Sequence, residues 1–384
     1  MTTIYLIRHA EAEGNLYRIV QGQHDSFVTP RGKKQIAALA ERFRDVHLDA
    51  LYSSDLRRTV ETAGAITKYH DLPMQCTPRL REINLGVCEG MSFGDMYRFD
   101  PVQMDNFNND PGQWSAPGAE SFASCEVRMY SVVMEIGMKN PGKTVAVVSH
   151  GMAIRSLLAV ILNVESRDIP SLPHGDNTAV SKLLYDNDTR TFTVEYYNDN
   201  SHLPQELSTF ARQSWWKKET RGADENNLYY IPLDPNMEGE LYTELYAASW
   251  RAAHGDLAGF NAESYLRSAR EHFAENGRAI LKGMRSSGEL AGVVETDPSR
   301  SAGAGVGWVS LLYVRPELRG QGLGTQLLGR AITDYEALGR KCVRLHVSSE
   351  NENALKFYKN LGFEILGSEP GAGAPLYLME KRFE

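Results

Sequence analysis

Arginine and histidine side chains follow three strand-like segments in the first half of the sequence. TIYLIRH ends in Arg8 and His9, VAVVSH ends in His150, and LYSS leads into DLRR, which contains Arg58. Because ligands of α/β folds bind at the carboxyl ends of strands, we expect these side chains to converge at one edge of a sheet. One guanidinium group can bind two phosphate oxygens at the same time. The pattern therefore predicts a pocket for a phosphate dianion.

A histidine in such a pocket can itself attack phosphorus, because flanking arginines disfavour the protonated imidazole. His9 is the candidate nucleophile. The departing alkoxide needs a proton, and Glu82 in LREINLG is the candidate acid. Arginine and protonated histidine can neutralise the charge on the transferred phosphoryl group, so we expect no metal cofactor.

A glycine-rich turn between a strand and a helix is a second candidate anion site, in VRPELRGQGLGTQLL. Backbone N–H groups of residues 320–325 would point at the ligand from a helix N-terminus, and the absent side chains would let a pyrophosphate approach. No GK[ST] follows the turn, and it lacks the GxGxxG spacing of a dinucleotide-binding fold. A tight turn without a ligand is the alternative interpretation.

The elements that must carry these residues alternate between strand-like and helix-like segments over the first 200 residues. This alternation predicts an α/β fold with a largely parallel central sheet, closed by a hairpin of NTAVSKLLYD and TFTVEYYND. Residues 86–121 become rich in Asp, Asn, Pro and Gly, and we expect them to form a loop that covers the substrate.

The chain is long enough for two domains, because 384 residues exceed the size at which one hydrophobic core keeps growing. We predict domains at residues 1–205 and 228–384. A polar linker at residues 206–227 is expected between them, and its Trp215 and Trp216 are expected to pack at the junction.

Composition and charge argue against several classes of protein. A net charge of −8 without a basic stripe argues against a nucleic-acid-binding protein. Four scattered cysteines predict neither a disulfide framework nor a zinc site, and they suit a reducing compartment. No apolar run approaches the roughly 20 residues of a membrane span, and we expect the first residues to form a strand and not a charged-then-apolar signal segment. We therefore expect a cytoplasmic protein without a membrane partner.

The first 200 residues resemble the histidine phosphatase superfamily, also called phosphoglycerate mutase-like. The matching segments, in order, are LIRHAEAEGN, RIVQGQHDSFVT, SSDLRRTVETA, LREINLGVCEG, PGAES and VVSHGMAIRSLL. The resemblance implies a three-layer α/β/α domain in which His9 is phosphorylated and Glu82 donates the proton. It assigns the phosphate pocket to Arg8, Arg58 and His150. It assigns the substrate-lining positions to Asn15, Gln21, Gly22 and Gly151.

Departures from the superfamily pattern favour a hydrolase over a mutase. Mutase members follow the acid with an arginine and carry a basic pair in a longer lid, whereas Ile83 follows Glu82 here. The residues between Glu82 and His150 include only four basic ones, Arg98, Arg128, Lys139 and Lys143. Without a basic cluster to hold a second phosphate, water should react with the phosphoenzyme.

Two further residues differ from or adjoin the motif positions. Ala10 replaces the glycine that usually follows the nucleophile, and Arg57, next to Arg58, is expected to face solvent.

Residues 228–384 resemble the GCN5-related N-acetyltransferases, an α+β family with a mixed, mostly antiparallel sheet. RGQGLG matches the family's RxxGxG loop, and NENALKFYKNLGFEILG matches NxxAxxxYxxxGF. The resemblance implies that acetyl-CoA binds along the strand LYV and the glycine loop, and that Tyr358 protonates the departing thiolate. The implied cofactor-binding residues are Leu312, Tyr313, Val314, Arg319, Gly320, Gln321, Gly322, Leu323, Gly324, Thr325 and Asn351.

The sequence does not identify the general base of this second domain. Glu295 and His346 are candidates, and for each the alternative is a role at the surface or in packing.

The sequence as a whole predicts a bifunctional enzyme. It would combine a phosphomonoesterase for a small phosphorylated metabolite with an acetyl-CoA-dependent N-acetyltransferase for an amine acceptor. The alternatives are a mutase-like phosphotransferase, or one domain that senses its ligand without turnover.

Overall fold

The chain divides into two compact units in a computed structural model that describes residues 1–213, 226–371 and 374–383. The first unit comprises Met1–Asn15, Val20–Met91 and Phe99–Gly222. The second comprises Leu16–Ile19, Ser92–Arg98 and Ala223–Glu384. Two short segments from the first half of the sequence therefore belong to the second unit, an assignment that the sequence patterns did not indicate.

The first unit is built on a six-stranded sheet. Its strands are β1 (Thr2–Arg8), β2 (Ala50–Ser53), β3 (Met74–Cys76), β4 (Thr144–Ser149), β5 (Val180–Asp186) and β6 (Thr191–Asp199). They lie in the order β3-β2-β4-β1-β5-β6. Strands β3, β2, β4 and β1 pair with one another in parallel, whereas β5 pairs antiparallel with both β1 and β6. The largely parallel sheet with its closing hairpin is confirmed.

The helices of this half of the chain position the candidate residues. They are α1 (Glu13–Tyr17), α2 (Pro30–Phe43), α3 (Arg57–Thr67), α4 (Phe93–Phe99), α5 (Pro101–Asn109), α6 (Phe122–Lys139) and α7 (Gly151–Ile161). Helix α3 begins soon after β2, which places Arg58 in its first turn, and α7 begins directly after His150. A buried cluster that includes Ile7, Leu51 and Val148 fills one face of the sheet.

The expectation of a loop over residues 86–121 was wrong for much of that segment. Pro101 occupies the first turn of α5, and the Asp100 side chain caps the helix by accepting the N–H of Gln103 at 2.9 Å. Aspartate and proline thus begin a helix here, as they do at many helix N-termini. Phe107 packs against the buried Trp114, with ring centroids 5.1 Å apart, and this contact holds α5 in place.

The second unit is built on a seven-stranded sheet. Its strands are β7 (Tyr229–Pro232), β8 (Ile280–Met284), β9 (Leu290–Asp297), β10 (Val306–Val314), β11 (Cys342–Ser348), β12 (Glu364–Glu369) and β13 (Leu376–Arg382). Its long helices are α8 (Gly239–His254), α9 (Ala262–Glu275), α10 (Leu323–Ala337) and α11 (Glu352–Asn360). The strand order is β12-β13-β11-β10-β9-β8-β7, and among the described strands of this sheet only β10 and β11 pair in parallel. The mixed, mostly antiparallel sheet is confirmed.

Strands β10 and β11 separate partway along their length. They pair from Val306 and Cys342 to Val309 and Leu345, although both strands continue beyond these residues. A register shift between Val309 and Leu311 marks a bulge in the pairing of β10 with β9. A bulge bends its strand, and this one lies where the pairing of β10 with β11 ends. Beyond that point, the backbone groups on the β11 side of β10 have no strand partner among the described residues.

The predicted linker is described only in part. Gln35 donates to the carbonyl of Leu207 at 2.8 Å, and the hydroxyl of Thr209 donates to Glu11 at 3.2 Å, so residues 206–213 are bound to the first unit. Residues 214–225, with Trp215 and Trp216, lie outside the described residues. The domain boundaries of the sequence analysis stay predictions. None of the helices in the described ranges has the length and apolar character needed to cross a bilayer.

Candidate active sites

His9 follows the last residue of β1 and is almost completely buried, with 3% of its surface exposed. Its Nδ1 lies 2.7 Å from the backbone carbonyl of Ala10. A carbonyl can only accept a hydrogen bond, so Nδ1 carries the proton in the neutral ring. The lone pair therefore resides on Nε2, the nitrogen that remains available to attack an electrophile.

The surroundings of His9 disfavour its protonated form. Burial lowers the pKa of His9 well below its ordinary value of 6.5, and the positive charges of Arg58 and Arg8 lower it further. Desolvation and like charge both penalise an imidazolium. His9 is consequently neutral at pH 7, which is the form that a nucleophile requires.

The structure brings the three predicted phosphate-binding residues together around His9. The centroids of the imidazole rings of His9 and His150 lie 5.2 Å apart. Arg58 donates to the carbonyls of Gly22 and His24 at 2.7 and 2.8 Å. Three buried polar atoms in this set have no protein partner among the described residues: Nε of Arg8, Nε of Arg58 and Nδ1 of His150.

Glu82 lies near Arg8 and Arg58, and its negative charge favours the protonated form of both guanidinium groups. Its carboxylate accepts the backbone N–H groups of Met152 and Ala153 at 3.0 and 2.7 Å, in the first turn of α7. A helix N-terminus stabilises a carboxylate in this way. Strand β4 and helix α7 therefore position His150 and Glu82 together.

The predicted substrate-lining residues have structural contacts of their own. A Cβ atom on Gly151 would lie 3.1 Å from Nε of Arg8, so only glycine leaves this guanidinium undisturbed. Gly22 has a φ of +49° and presents its carbonyl to Arg58. The side chains of Asn15 and Gln21 accept hydrogen bonds from the backbone of Ala12 and the hydroxyl of Ser26.

Two residues of this site were missed by the sequence analysis. Nδ2 of Asn177 donates to the carbonyl of His9 at 2.9 Å, and Oγ of Ser54 lies 2.9 Å from Nε2 of His150. Ser54 follows β2, so the rule that placed Arg58 at a strand end could have found it. Asn177 precedes β5, which runs antiparallel to β1, and no local motif marks it.

The four basic residues between Glu82 and His150 are either exposed or engaged with other protein groups. Arg98, Lys139 and Lys143 are exposed. Arg128 uses its donors on Glu120 and on backbone carbonyls. Arg57 is exposed, as expected. Among the described residues, no group of His, Cys, Asp and Glu has an arrangement that could hold a metal ion.

The second unit carries the glycine loop, residues 319–325, at the start of α10. Gly320 and Gly322 have φ angles of +77° and +81°, a region that favours glycine. Within the described residues, the N–H groups from Gly320 to Gly324 have no protein acceptor. Such a run of free N–H groups fits the pyrophosphate of acetyl-CoA, and the separated end of β10 fits its extended arm.

Other predicted cofactor-binding residues surround this loop. Leu312 and Val314 lie on β10, partly buried, whereas Tyr313 is buried on the opposite face. Arg319 donates from Nε to the carbonyl of Val314 at 3.1 Å. Gln321 is exposed and Thr325 half-buried. The Asn351 side chain caps α11 by accepting the N–H of Ala354 at 3.1 Å.

Tyr358, the predicted acid, lies on α11 and is 8% exposed. Its ring contacts the edges of Phe357 and Phe363, with centroids 5.1 and 5.5 Å away. Burial raises the pKa of Tyr358, so the phenol keeps its proton at neutral pH.

The two candidate bases have different environments. Glu295 is 1% exposed, and its two oxygens contact the Tyr242 hydroxyl and Nδ1 of His272, both at 2.8 Å. His346 follows Leu345, where the pairing of β10 with β11 ends. Its ring lies edge-on to Trp308 with centroids 5.1 Å apart. Burial lowers the pKa of His346, which favours the neutral imidazole.

Comparison with known proteins identifies both halves of the chain. The family model of the histidine phosphatase superfamily (branch 1) matches residues 4–200, and that of the acetyltransferase (GNAT) family matches residues 240–363.

Phosphoserine phosphatase 1 of Hydrogenobacter thermophilus is 33% identical over 165 residues, which are 43% of this chain and 78% of that protein. The probable phosphoglycerate mutase GpmB of Escherichia fergusonii is 30% identical over 206 residues, 53% of this chain and 95% of that protein.

Among solved structures, YhfR of Bacillus stearothermophilus matches with a TM-score of 0.51 and 32% identity, over 53% of this chain and 99% of its own. The resemblances drawn from the motifs are confirmed. The chain belongs to the histidine phosphatase superfamily and carries a GNAT-family acetyltransferase domain after it.

Proposed function

We propose that the first unit is a phosphomonoesterase acting through a phosphohistidine on His9, and that the second is an acetyl-CoA-dependent N-acetyltransferase. The observation that carries the first proposal is the set of partnerless buried atoms on Arg8, Arg58 and His150 beside a neutral His9. Buried polar groups are normally hydrogen-bonded. A phosphate group would supply acceptor oxygens for both guanidinium groups while presenting phosphorus to Nε2.

In the first half-reaction, Nε2 of His9 forms a bond to phosphorus as the ester oxygen departs. Arg8 and Arg58 stabilise the charge on the phosphoryl oxygens. Glu82 gives a proton to the departing alkoxide.

In the second half-reaction, water attacks the phosphorus, the bond to Nε2 breaks, and Glu82 takes the proton of the water. We favour water as the acceptor because the exposed Arg98, Lys139 and Lys143 and the engaged Arg128 offer no pocket for a second phosphate. A mutase-like phosphotransferase stays the alternative.

Mass spectrometry tests this mechanism. Brief exposure of the full chain to 4-nitrophenyl phosphate should add one phosphoryl group at His9, also in the presence of EDTA, because the charge-stabilising groups are side chains. The His9→Ala protein should gain none. If EDTA abolishes phosphorylation and a divalent ion restores it, the metal-free mechanism is wrong. If the protein without substitutions acquires no phosphoryl group, the first unit is a sensing module instead.

The acetyltransferase proposal rests on the glycine loop, whose five N–H groups from Gly320 to Gly324 have no acceptor among the described residues. Acetyl-CoA bound there would supply its acetyl group as an activated thioester. Tyr358 would hold the proton that the departing sulfur takes up. For the base we favour His346, because burial lowers its pKa and its Nε2 lies 3.2 Å from the carboxylate of Glu369, which can stabilise the ring when it takes up a proton. Glu295 is 1% exposed, and both of its oxygens are engaged by Tyr242 and His272.

The substrate class follows from joining the two activities. We propose a small metabolite that carries both a phosphate ester and a primary amine, and the phosphoserine phosphatase named among the relatives supports this chemistry. The test is to incubate the protein with acetyl-CoA and a metabolite extract. Species that lose phosphate and gain acetyl support the proposal. If the two activities act only on unrelated compounds, the shared substrate is excluded and both enzyme assignments stand.

A further inference from the structure

We propose that Arg128 is a positioning residue that holds the loop bearing Glu82 in place for proton donation. This inference rests on the acid role proposed for Glu82. Arg128 lies on α6, near the middle of that helix, whereas Glu82 lies in the connection that follows β3.

The guanidinium group of Arg128 binds the backbone of the Glu82 loop directly. Its Nη1 donates to the carbonyls of Arg79 and Arg81 at 2.9 and 2.8 Å, and its Nη2 lies 3.4 Å from the carbonyl of Glu82. Three carbonyls of one short segment thus face a single planar cation. A shift of this segment would leave these acceptors without a donor, which is costly for partly buried groups.

Glu120 fixes the orientation of Arg128. Its two carboxylate oxygens accept from Nε and Nη2 of Arg128 at 2.8 and 2.7 Å, a paired geometry that defines the plane of the guanidinium. Both side chains are shielded, with 19% and 16% of their surfaces exposed. Glu120 also contacts the far end of the loop, because its own N–H donates to the carbonyl of Asn84 at 2.9 Å.

The Glu82 side chain is held from the other side by α7, through the N–H groups of Met152 and Ala153. Its backbone and its carboxylate are therefore fixed by two separate helices. A general acid must lie within hydrogen-bond distance of the leaving oxygen, and a displacement of about 1 Å can reduce a rate by about 10²-fold. Within the described residues, the hydrogen bonds of Arg128 go to this loop, to Glu120 and to two sulfur atoms of its own helix. We therefore expect Arg128 to act through Glu82.

The test compares two substrates that differ in their need for an acid. Glycerol phosphate releases an alkoxide that needs a proton, whereas 4-nitrophenyl phosphate releases a phenolate that hardly does. In Arg128→Met, we expect kcat/KM for glycerol phosphate to fall by about 10- to 100-fold relative to 4-nitrophenyl phosphate. This ratio does not depend on the folded fraction, so partial unfolding cannot imitate the result. Arg128→Lys, which cannot span the carbonyls and Glu120 together, should show a smaller shift in the same direction.

The matched control is Arg79→Met. Arg79 joins the same loop to the same helix through two bonds to Glu135, at 2.7 and 2.9 Å, but by its side chain at an exposed position. This control should leave the substrate ratio unchanged within about twofold, because exposed ion pairs contribute little. A general loosening of the loop would instead move the ratio in both variants.

A protein with both Arg128→Met and Glu82→Gln shows whether Arg128 changes the substrate ratio through Glu82. If Arg128 acts through Glu82, adding Arg128→Met to Glu82→Gln should not change the substrate ratio further. An additive effect, or an unchanged ratio in both Arg128 variants while Glu82→Gln shifts it, would overturn the positioning role and leave the acid role intact. If Glu82→Gln itself affects both substrates equally, the acid assignment fails, and the inference fails with it.

Discussion

At the scale of single residues, the proposed chemistry depends on the protonation of His9. Its pKa is lowered by burial, by Arg58 and by Arg8, in that order of importance. Its Nδ1 proton is directed at the carbonyl of Ala10, which leaves Nε2 free. The same arginines that would bind the phosphate therefore also prepare the nucleophile.

The charge of Arg58 gives the first prediction. Arg58→Gln removes a positive charge next to His9, so the imidazolium becomes less unfavourable and the pKa of His9 should rise toward its ordinary value of 6.5. It should stay below that value, because burial persists. The measurement is an NMR titration of the His9 ring, assigned with His9→Ala.

Arg57→Gln is the matched control for this titration. Arg57 is adjacent in sequence but exposed, with its guanidinium over the Phe27 ring at 4.0 Å. Its replacement should leave the pKa of His9 unchanged. An equal shift in both variants would mean that net charge, and not the local contact, determines the pKa.

At the scale of elements, the junction of β4 with α7 brings together residues of the proposed phosphate site. Gly151, the first residue of α7, lies so close to Arg8 that a Cβ would meet Nε at 3.1 Å and Cζ at 3.3 Å. Gly151→Ala should therefore displace the Arg8 guanidinium and weaken binding of inorganic phosphate several-fold. Competitive inhibition of 4-nitrophenyl phosphate hydrolysis measures this change.

Gly64→Ala provides the comparison, because Gly64 lies within α3 and a Cβ there would meet nothing within 4 Å. Alanine favours a helix more than glycine, so this variant should be at least as stable as the parent and should bind phosphate equally well. Normal phosphate inhibition in Gly151→Ala would show that Arg8 is not held against this helix.

The turn before α10 gives the corresponding prediction for the second unit. Gly322 has a φ of +81°, and a Cβ there would meet nothing within 4 Å, so Gly322→Ala strains only the backbone. That strain is about 1–2 kcal/mol and would reorient the free N–H groups of the glycine loop. Acetyl-CoA affinity, measured by calorimetry, should fall.

Gly339→Ala separates strain from binding. Gly339 has a φ of +69° and equally open surroundings, but it follows the opposite end of α10. It should reduce stability to a similar degree and leave acetyl-CoA affinity unchanged. A comparable loss of affinity in both variants would show that the glycine loop has no specific part in binding.

At the scale of the whole molecule, the two candidate sites share no residue. His9, Arg58, Glu82 and His150 belong to the first unit, whereas Tyr358 and the glycine loop belong to the second. Substitutions at separate, independent sites act additively. His9→Ala should abolish phosphate release and preserve CoA release, and Tyr358→Phe should do the reverse. Loss of both activities in either variant, with both proteins folded, would contradict this independence.

Much of the molecule follows from the sequence alone, because its signals are local. The placement of Arg8, His9 and His150 at strand ends needs only the apolar runs before them and the direction of parallel strands. The glycine spacing before α10 and the Asn351 cap of α11 are equally local signals. Both folds, the two families and the spatial grouping of the proposed phosphate-binding residues could therefore be predicted.

Other features were decided only by the tertiary structure, because they depend on contacts between residues far apart in the sequence. The proton position on His9, the binding of Glu82 by the N-terminus of α7 and the engagement of Glu295 by Tyr242 and His272 all depend on such contacts. Asn177 reaches His9 only because β5 pairs with β1. Local patterns predict which elements form and what chemistry they carry. Long-range packing determines which of those groups are free to react.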